Sequence, residues 1–360
     1  MIADMDLQTA ARIMRDAVKN KEYRAYPLGG DWAAFMRWGR GSWTKATYRD
    51  YESCGDKFAR TFPDLELRDF EPPVGTERLD EFMDLLWGER APATYNTNLT
   101  ILQQFFRFCV LKGKIHGDPS MPLKRRKKRQ PHREVFNEDA MLAIITNGPQ
   151  PGKYMYRDKV ALRLLLEWAL RKGALRAVQY KHFDRPLHNE DGSLRRPGRL
   201  TIFTKGEKVF DKVIQDDAFW RDLDLAMMAL GAEPEHYLMG GRQTFNRFAG
   251  YDRVTGEKLI DRREIEKPEK PLSNSATHHW WYGCLERAGI AQPGQTSGQK
   301  MHKARHSSGQ ALLEEFHDIK LVQKHLGHSS PTTTLETYVD YDDFQLADRM
   351  AEMLERRRAE

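Results

Sequence analysis

The sequence lacks the features that define several large classes of protein. Its three cysteines, Cys54, Cys109 and Cys284, are far apart in a chain of 360 residues. An odd number of isolated thiols excludes a disulfide framework and a cysteine zinc site, and is typical of a reducing cytoplasm. No apolar run approaches the length that spans a bilayer, so no membrane segment is expected. The first ten residues, MIADMDLQTA, resemble neither a signal peptide nor a transit peptide.

Charged side chains are abundant, and the balance between them is basic. Lysine and arginine number 58 against 52 acidic residues, which gives a formal net charge of +6. This balance favours a polyanionic partner such as nucleic acid. Hydrophobic residues make up 40% of the chain. That share and the length of the chain are sufficient for two domains with their own cores.

Residues 1–122 are predicted to form a small domain built only of helices. Strand signals are absent, and apolar residues recur at helical spacing from residues 5–20 onward. Several of the helical segments follow Ser, Thr or Asp, which cap helix N-termini well. The later segments read WAAFMRWGR, WTKATYRDYESCGDKFARTF, LDEFMDLLWGE and TYNTNLTILQQFFRFCVLKG.

Residues 123–133 are predicted to be a basic linker. Six consecutive basic residues, 124-KRRKKR-129, lie between Pro122 and Pro131. A block of one charge between prolines is typical of a linker. It is either simply solvated or lies along a nucleic-acid backbone, where each phosphate contact releases counterions.

The remaining residues, 134–360, are predicted to be mainly α-helical with a small β-sheet. LTIF and KVFDKVI are rich in branched and aromatic residues, and the turn TKGE at 204–207 joins them as a hairpin. The polar segment 232–272 contains a pair of glycines and several prolines. It is predicted to be a long loop, with room for a small hairpin at YDRVTGEKLI. Helical patterns return after residue 273.

The segment 301-MHKARHSSGQ-310 concentrates imidazole and guanidinium groups. His302 and Arg305 are three residues apart, so they share a face if the segment is helical. This spacing is common by chance. The pair alone is consistent both with a solvated helix face and with an anion site.

The next segment, 318-DIKLVQKHLGHSSPTTTLETYVD-340, predicts a short helix that ends at a turn. Asp318 is the expected cap, and Gly327 is the expected stop signal, so that His328 projects from a turn. Pro331 suits the start of another helix, which carries Tyr338. No cysteine or acidic partner lies near the histidines of KHLGH, so no metal site is expected.

These two segments together resemble the second catalytic box of the tyrosine recombinases of the phage integrase type. That family carries an HxxR helix, then LGH, then a tyrosine about ten residues later, as in HKARH followed by LGHSSPTTTLETY. The resemblance implies a helical core-binding domain followed by an α+β catalytic domain. It also implies an earlier arginine and a lysine in the hairpin turn, which completes a set of six catalytic residues: Arg171, Lys205, His302, Arg305, His328 and Tyr338.

Some of these positions have rivals, and some neighbours depart from the family pattern. Arg176 is an alternative to Arg171, Lys208 to Lys205, and Tyr341 to Tyr338. The family usually has glycine before the Leu-Arg pair and an acid three residues after the arginine. This sequence has Ala169 and Ala174 there. The six catalytic residues are unaffected, but the acid that normally steadies the active site is missing.

The resemblance implies a strand exchange that needs no metal, no ATP and no cofactor. Tyr338 attacks a DNA phosphodiester and forms a covalent 3′-phosphotyrosyl intermediate, which conserves the energy of the bond. The two arginines clamp the charged transition state, and Lys205 protonates the departing 5′ oxygen. His302 accepts the tyrosine proton or bonds the phosphate, and His328 bonds a nonbridging oxygen.

The implied partner is double-stranded DNA with a specific core site, bound by both domains. The 342–360 segment is amphipathic, and it either packs within its own chain or docks on a neighbour in a tetramer on DNA. The implied location is the cytoplasm of a prokaryotic host, at the nucleoid. A DNA-binding protein that no longer cuts and a relaxing topoisomerase are the alternatives. Predicted DNA contacts are Lys45, Arg49, Thr94, Asn96, Arg107, Lys124, Arg125, Arg126, Lys127, Lys128 and Arg129.

Overall fold

The structure is a computed structural model that describes residues 26–127, 134–203, 209–251 and 258–327. The chain divides into two compact units between residues 131 and 132. The described part of the predicted linker, 123–127, belongs to the first unit. The predicted helices over 5–20, around Tyr338 and over 342–360 lie outside the described residues.

The described part of the first unit is helical, as predicted. Thr44 caps the second helix, because its hydroxyl accepts a hydrogen bond from the main-chain N–H of Thr47. Proline occupies the first turn of two other helices, where its missing N–H costs no hydrogen bond. Residues 26–127 contain no strand. The helices are α1 Pro27–Trp38, α2 Lys45–Thr61, α3 Val74–Trp87 and α4 Pro92–Leu111, with a 3₁₀ turn at Leu67–Phe70.

An aromatic core holds the first unit together. Trp32 is fully buried, and its ring centroid lies 4.3 Å from that of Phe105. Gly55 permits this packing, because a Cβ on it would meet the indole Nε1 of Trp32 at 2.1 Å. Phe35 and Phe58 pack around the same tryptophan. Rings in contact at these distances stabilise the core beyond the area they bury.

The second unit combines helices with short antiparallel strands. Asp216 caps the helix Asp217–Leu230 by accepting from two main-chain N–H groups. The helix Met155–Leu166 is buried on nearly all sides, as its run of apolar residues predicts. The helices are α5 Glu138–Asn147, α6 Met155–Leu166, α7 Lys172–Ala177, α8 Asp217–Leu230, α9 Asn274–Arg287, α10 Met301–Phe316 and α11 Ile319–Leu326.

The predicted hairpin is confirmed as the main part of a three-stranded sheet. It pairs β4 Gly198–Phe203 with β5 Val209–Ile214 through six consecutive residue pairs, from Gly198 opposite Ile214 to Phe203 opposite Val209. The third strand is β1 Phe183–Asp184, which pairs with β4. A separate ribbon pairs β2 Leu187–His188 with β3 Leu194–Arg196.

The predicted loop over 232–272 is wrong for most of its length. Residues Gly240–Tyr251 (β6) and Lys258–Pro271 (β7) form a long antiparallel ribbon, and residues 252–257 of the expected small hairpin lie outside the described residues. Sequence patterning fails here because β7 is rich in charged residues and the aromatic residues of β6 do not alternate with polar ones. A ribbon without a clear apolar face lacks the alternation that identifies a half-buried strand.

The core of the second unit lies where α6 packs against α8 and α10. Leu164, Leu165 and Trp281 are fully buried within it, and the β4 residues Leu200 and Ile202 close one side. In the ranges that the structure describes, no helix is both long enough and apolar enough to cross a membrane.

Candidate active site

Arg171 stands at the N-terminal end of α7, immediately after a tight turn. It is the residue that precedes the helix, and it is exposed to solvent. Its rival Arg176 is engaged elsewhere. The Arg176 Nε donates to the carbonyl of Leu272 at 2.7 Å, and an Nη donates to the Asn274 side chain at 3.1 Å. These bonds make Arg176 a structural residue that ties α7 to the start of α9.

The turn before Arg171 explains why glycine suits its first position. Ala169 has a φ of +56°, in the left-handed region that side chains other than glycine rarely adopt. Its methyl group is nevertheless fully buried, beside Leu313, Val322 and Leu326. An alanine here therefore combines backbone strain with burial of a methyl group.

The second departure from the family pattern, Ala174, lies on the first turns of α7. It is half-buried and packs against the core of the second unit. An acidic side chain at this position would face apolar neighbours. In this chain the position contributes to packing.

His302 and Arg305 both lie on α10, but their surroundings differ. His302 is exposed, and its ring contacts that of His306 edge to face, with 4.5 Å between centroids. Arg305 is 2% exposed. The shared face predicted from the spacing thus runs from solvent at His302 into the interior at Arg305.

Arg305 joins two turns that are far apart in sequence. One Nη donates to the carbonyl of Ala169 at 2.6 Å, and the other donates to the carbonyl of Leu326. The first carbonyl precedes Arg171 by two residues, and the second precedes His328 by two residues. Arg305 therefore brings the segments that lead into two other predicted catalytic residues to one place.

The turn after α11 has the geometry that its sequence predicts. Asp318 caps the helix by accepting from the N–H groups of Lys320 and Leu321. Gly327 ends it with a φ of +61°, which favours glycine. His328, Lys205 and Tyr338 lie outside the described residues, as do their rivals Lys208 and Tyr341.

Sequence reasoning missed Lys212, which lies beneath this site on β5. Its ammonium donates to the carbonyl of His325, and its side chain is 5% exposed. Burial, together with the charges of Arg305 and Arg171, lowers the pKa of Lys212 from 10.5 to about 7. The strand pattern contained the signal, because alternation places Lys212 on the same face as the buried Ile214.

His325 is the first of the two histidines in KHLGH, and the structure gives it a structural role. Its Nε2 is 2.8 Å from the hydroxyl of Ser308, which also donates to the carbonyl of Glu167. Burial, with the charges of Lys212 and Arg305, lowers the pKa of His325 to about 3. The imidazole is therefore neutral at physiological pH. The described residues contain no group of three or more His, Cys, Asp or Glu side chains arranged to hold a metal ion.

Most of the predicted DNA contacts in the helical unit are on its surface. Lys45, Arg49, Thr94 and Arg107 are exposed on α2 and α4. Asn96 differs from them, because it is 6% exposed and both ends of its amide are occupied. It donates to the carbonyl of Arg126 at 2.8 Å and accepts from the Arg126 N–H at 2.9 Å. This places Asn96 in a structural role, which is a correction to its prediction as a DNA contact.

The basic run is anchored to the helical unit through its third residue. The Arg126 guanidinium stacks 4.0 Å above the ring of Tyr95, and it donates to Asp84 at 2.7 Å and to the carbonyl of Gly88. Arg125 donates to the hydroxyl of Thr100 at 3.0 Å. The neighbouring cations Lys124 and Lys127 are exposed, and Lys128 and Arg129 lie outside the described residues.

Comparison with known protein sequences shows similarity to recombinases. A model of the phage integrase family matches residues 251–344. The tyrosine recombinase XerC of Lactobacillus delbrueckii subsp. bulgaricus is 23% identical over 244 residues, which cover 68% of this chain and 71% of the relative. XerC of Shewanella amazonensis is 25% identical over 257 residues, covering 71% of this chain and 73% of that protein.

Comparison with solved structures shows the same fold. The XerH site-specific recombinase, in a post-cleavage complex with a palindromic difH substrate, has a TM-score of 0.61 at 15% identity and covers 96% of this chain and 95% of its own. A lambda integrase dimer bound to a COC′ core site has a TM-score of 0.59 at 15% identity, with 88% and 79% of the two chains covered.

Proposed function

We propose that this chain, a member of the tyrosine recombinase family, is a site-specific DNA recombinase that cuts and rejoins DNA through a phosphotyrosine on Tyr338. The observation that carries the proposal is the position of Arg305. Its two Nη atoms hold the carbonyls of Ala169 and Leu326, so the segments that lead to Arg171 and His328 converge on one guanidinium. The choice of DNA as the partner is supported by the similar XerH and lambda integrase structures, which are complexes with a difH substrate and a COC′ core site.

The reaction begins with attack of the Tyr338 hydroxyl on a DNA phosphorus. A bond forms between the tyrosine oxygen and phosphorus, and the bond between phosphorus and the 5′ oxygen breaks. His302 takes the phenolic proton, and Lys205 gives a proton to the departing 5′ oxygen. Because the phosphotyrosine conserves the bond energy, a 5′ hydroxyl from another strand reverses the step and rejoins the DNA.

Charge stabilisation falls to the two arginines and to His328. The transition state places additional negative charge on the nonbridging phosphate oxygens, and guanidinium groups match that charge with paired N–H donors. A preorganised donor of this kind contributes about 3–4 kcal/mol to catalysis. Arg305 is already fixed at two carbonyls, so its orientation is set before DNA binds.

DNA binding is proposed to use exposed cations of the helical unit and of the basic run. Lys45, Arg49 and Arg107 are exposed, as are Lys124 and Lys127. Contacts of this kind go mainly to phosphates and set the position of the protein on the duplex. We propose that the working form is a tetramer on DNA, assembled in the cytoplasm of a prokaryotic cell through the segment 342–360.

A second candidate, a DNA-binding protein of this fold that no longer cuts, is favoured by one observation. Ala174 replaces the acid that the family pattern places beside the first arginine, and the structure shows it packed against the core. If that acid is essential for holding Arg171, the chain binds DNA without cleaving it.

Covalent trapping separates the two candidates. The purified chain is incubated with short duplexes of random central sequence, the reaction is stopped with detergent, and DNA that remains attached to protein is sequenced. The recombinase proposal expects one enriched sequence, attached in the wild type and in Tyr341→Phe but not in Tyr338→Phe. Specific binding of a sequence with no attachment in any of the three proteins would instead establish the non-cutting candidate.

A further inference from the structure

The buried lysine of the hairpin, Lys212, has no role in the chemistry proposed above. Its strand runs against the usual pattern, because Val209 and Val213 are 55% and 52% exposed while Lys212 faces the interior. Pairing of β5 with β4 through six consecutive residue pairs fixes this register. Lysine is among the residues least often buried. A strand that exposes two valines and buries a lysine therefore uses the lysine for a specific contact.

That contact is with the C-terminal end of α11, where main-chain carbonyls lack partners within the helix. The Gly327 N–H donates to the carbonyls of Gln323 and Lys324. The two carbonyls that follow are those of His325 and Leu326. Lys212 donates to the first, and Arg305 donates to the second. The end of this helix is thus completed by two basic side chains from other elements.

The arrangement connects three parts of the proposed active site. Lys212 comes from the hairpin strand that follows the turn containing Lys205 in the sequence. Arg305 comes from the HxxR helix, and it also holds the carbonyl of Ala169, two residues before Arg171. The carbonyls held by these two side chains belong to His325 and Leu326, the two residues directly before Gly327. Fixing these carbonyls fixes the direction in which the chain leaves α11.

A third contact holds the same helix end through the His325 side chain. His325 lies 2.8 Å from the hydroxyl of Ser308 on α10. Because the His325 main chain and side chain are held by different elements, the helix end cannot rotate without breaking one of the two bonds. Lys212 is the member of this set that belongs to the hairpin.

We propose that Lys212 is a positioning residue that fastens the hairpin to the end of α11 and thereby sets the orientation of the Leu-Gly-His turn for phosphate binding. The inference rests on the proposed function, since it concerns the same site. Lys212 acts through the His325 carbonyl and does not itself transfer a proton to DNA. A misplacement of about 1 Å near reacting atoms slows an enzyme roughly 100-fold, so a loss of about 10- to 100-fold is expected without Lys212.

The first test is hydrogen exchange of the whole chain, which requires no DNA. Lys212→Met removes the donor and keeps the length of the side chain, whereas Lys212→Arg keeps a donor. Lys320→Met is the matched control, because Lys320 is an exposed lysine on α11 itself. Faster exchange in peptides covering residues 319–330 is expected in Lys212→Met alone. Unchanged exchange in that variant would overturn the inference, whether or not the chain cuts DNA.

The second test separates positioning from proton transfer. The probe is the duplex enriched by covalent trapping, with its scissile 5′ oxygen replaced by sulfur, a leaving group that needs no proton. Lys212→Met is expected to remain slow on the sulfur substrate at unchanged DNA affinity, while Lys205→Met recovers. Recovery of Lys212→Met on sulfur would show that it is the proton donor and would refute the positioning role. A wild type without any covalent adduct would refute the proposed function, and hydrogen exchange then decides the inference alone.

Discussion

The buried lysine beneath the site gives a quantitative prediction about stability and pH. The pKa of Lys212 is 10.5 when unperturbed and about 7 in the folded chain. A difference of this size corresponds to about 5 kcal/mol. Below pH 7 the lysine is protonated in both states, so the folded state carries the full cost of a buried charge. Between pH 7 and 10.5 only the unfolded state binds the proton, and stability therefore rises with pH.

Other groups limit the pH range in which this rise is visible. Burial raises the pKa of Cys284, which lies in the second unit, so this thiol ionises first in the unfolded state and lowers stability above about pH 8.5. His325 contributes in the opposite range, because its depressed pKa of about 3 makes stability rise up to about pH 6.5. The window from pH 7 to 8.5 avoids both effects.

Between pH 7 and 8.5, deprotonation of Lys212 is expected to raise the free energy of unfolding by roughly 1.5 kcal/mol. In a unit of this size the gain corresponds to roughly 3–6 °C in the melting temperature of the second unit. Calorimetry of the whole chain at pH 7 and at pH 8.5 measures it. Lys212→Met is expected to lose the rise and Lys320→Met to keep it. The same rise in wild type and Lys212→Met would show that Lys212 is not buried in a charge-disfavouring site.

Three further predictions concern other parts of the chain. Ala169→Val is expected to destabilise the second unit by about 2–4 kcal/mol in calorimetry, because a branched side chain fits poorly at positive φ and overfills the site. The free energy of unfolding of Ala169→Gly should stay within about 1 kcal/mol of the wild-type value. The reason is that relief of backbone strain offsets the lost methyl group and the added entropy of the unfolded chain. A large loss of stability in this variant would contradict the strain argument. Asn96→Leu is expected to lower the free energy of unfolding of the first unit by about 1–3 kcal/mol and to speed tryptic cleavage in the basic run. The exposed Thr94→Ala is the control and should be unaffected. Equal cleavage in the two variants would show that Asn96 does not anchor the basic run. Lys124→Gln is expected to reduce the slope of log affinity for DNA against log salt by about 1, and an unchanged slope would exclude it as a phosphate contact.

The features that could be predicted from the sequence were those encoded locally. The hairpin at 198–214 and the end of α11 at Gly327 depend on turn chemistry and side-chain alternation, and both occur as expected. The cap at Asp318 is equally local, because its carboxylate bonds N–H groups two and three residues ahead. Such signals survive without knowledge of the tertiary fold.

The features that escaped prediction lack a local sequence signal. The ribbon at 240–271 pairs two strands whose apolar residues show no regular alternation, which leaves no hydrophobic period to detect. The sequence predicts Asn96 as a surface residue of α4, but its amide is bonded to the main chain of Arg126, thirty residues later in the chain. The alternation of β5 places Lys212 on the buried face, but the reason for burying a lysine is its hydrogen bond to the distant carbonyl of His325. For Asn96 and Lys212 the partner lies too far away in sequence for local patterns to reveal it.

The most direct test of the central claim is covalent trapping on a random pool of duplexes with the wild type, Tyr338→Phe and Tyr341→Phe. The account predicts attachment to one enriched sequence by the wild type and by Tyr341→Phe, and none by Tyr338→Phe. The attached peptide should contain residue 338 when it is identified by mass spectrometry. Attachment that survives in Tyr338→Phe, or maps to another residue, would contradict the assignment of the nucleophile.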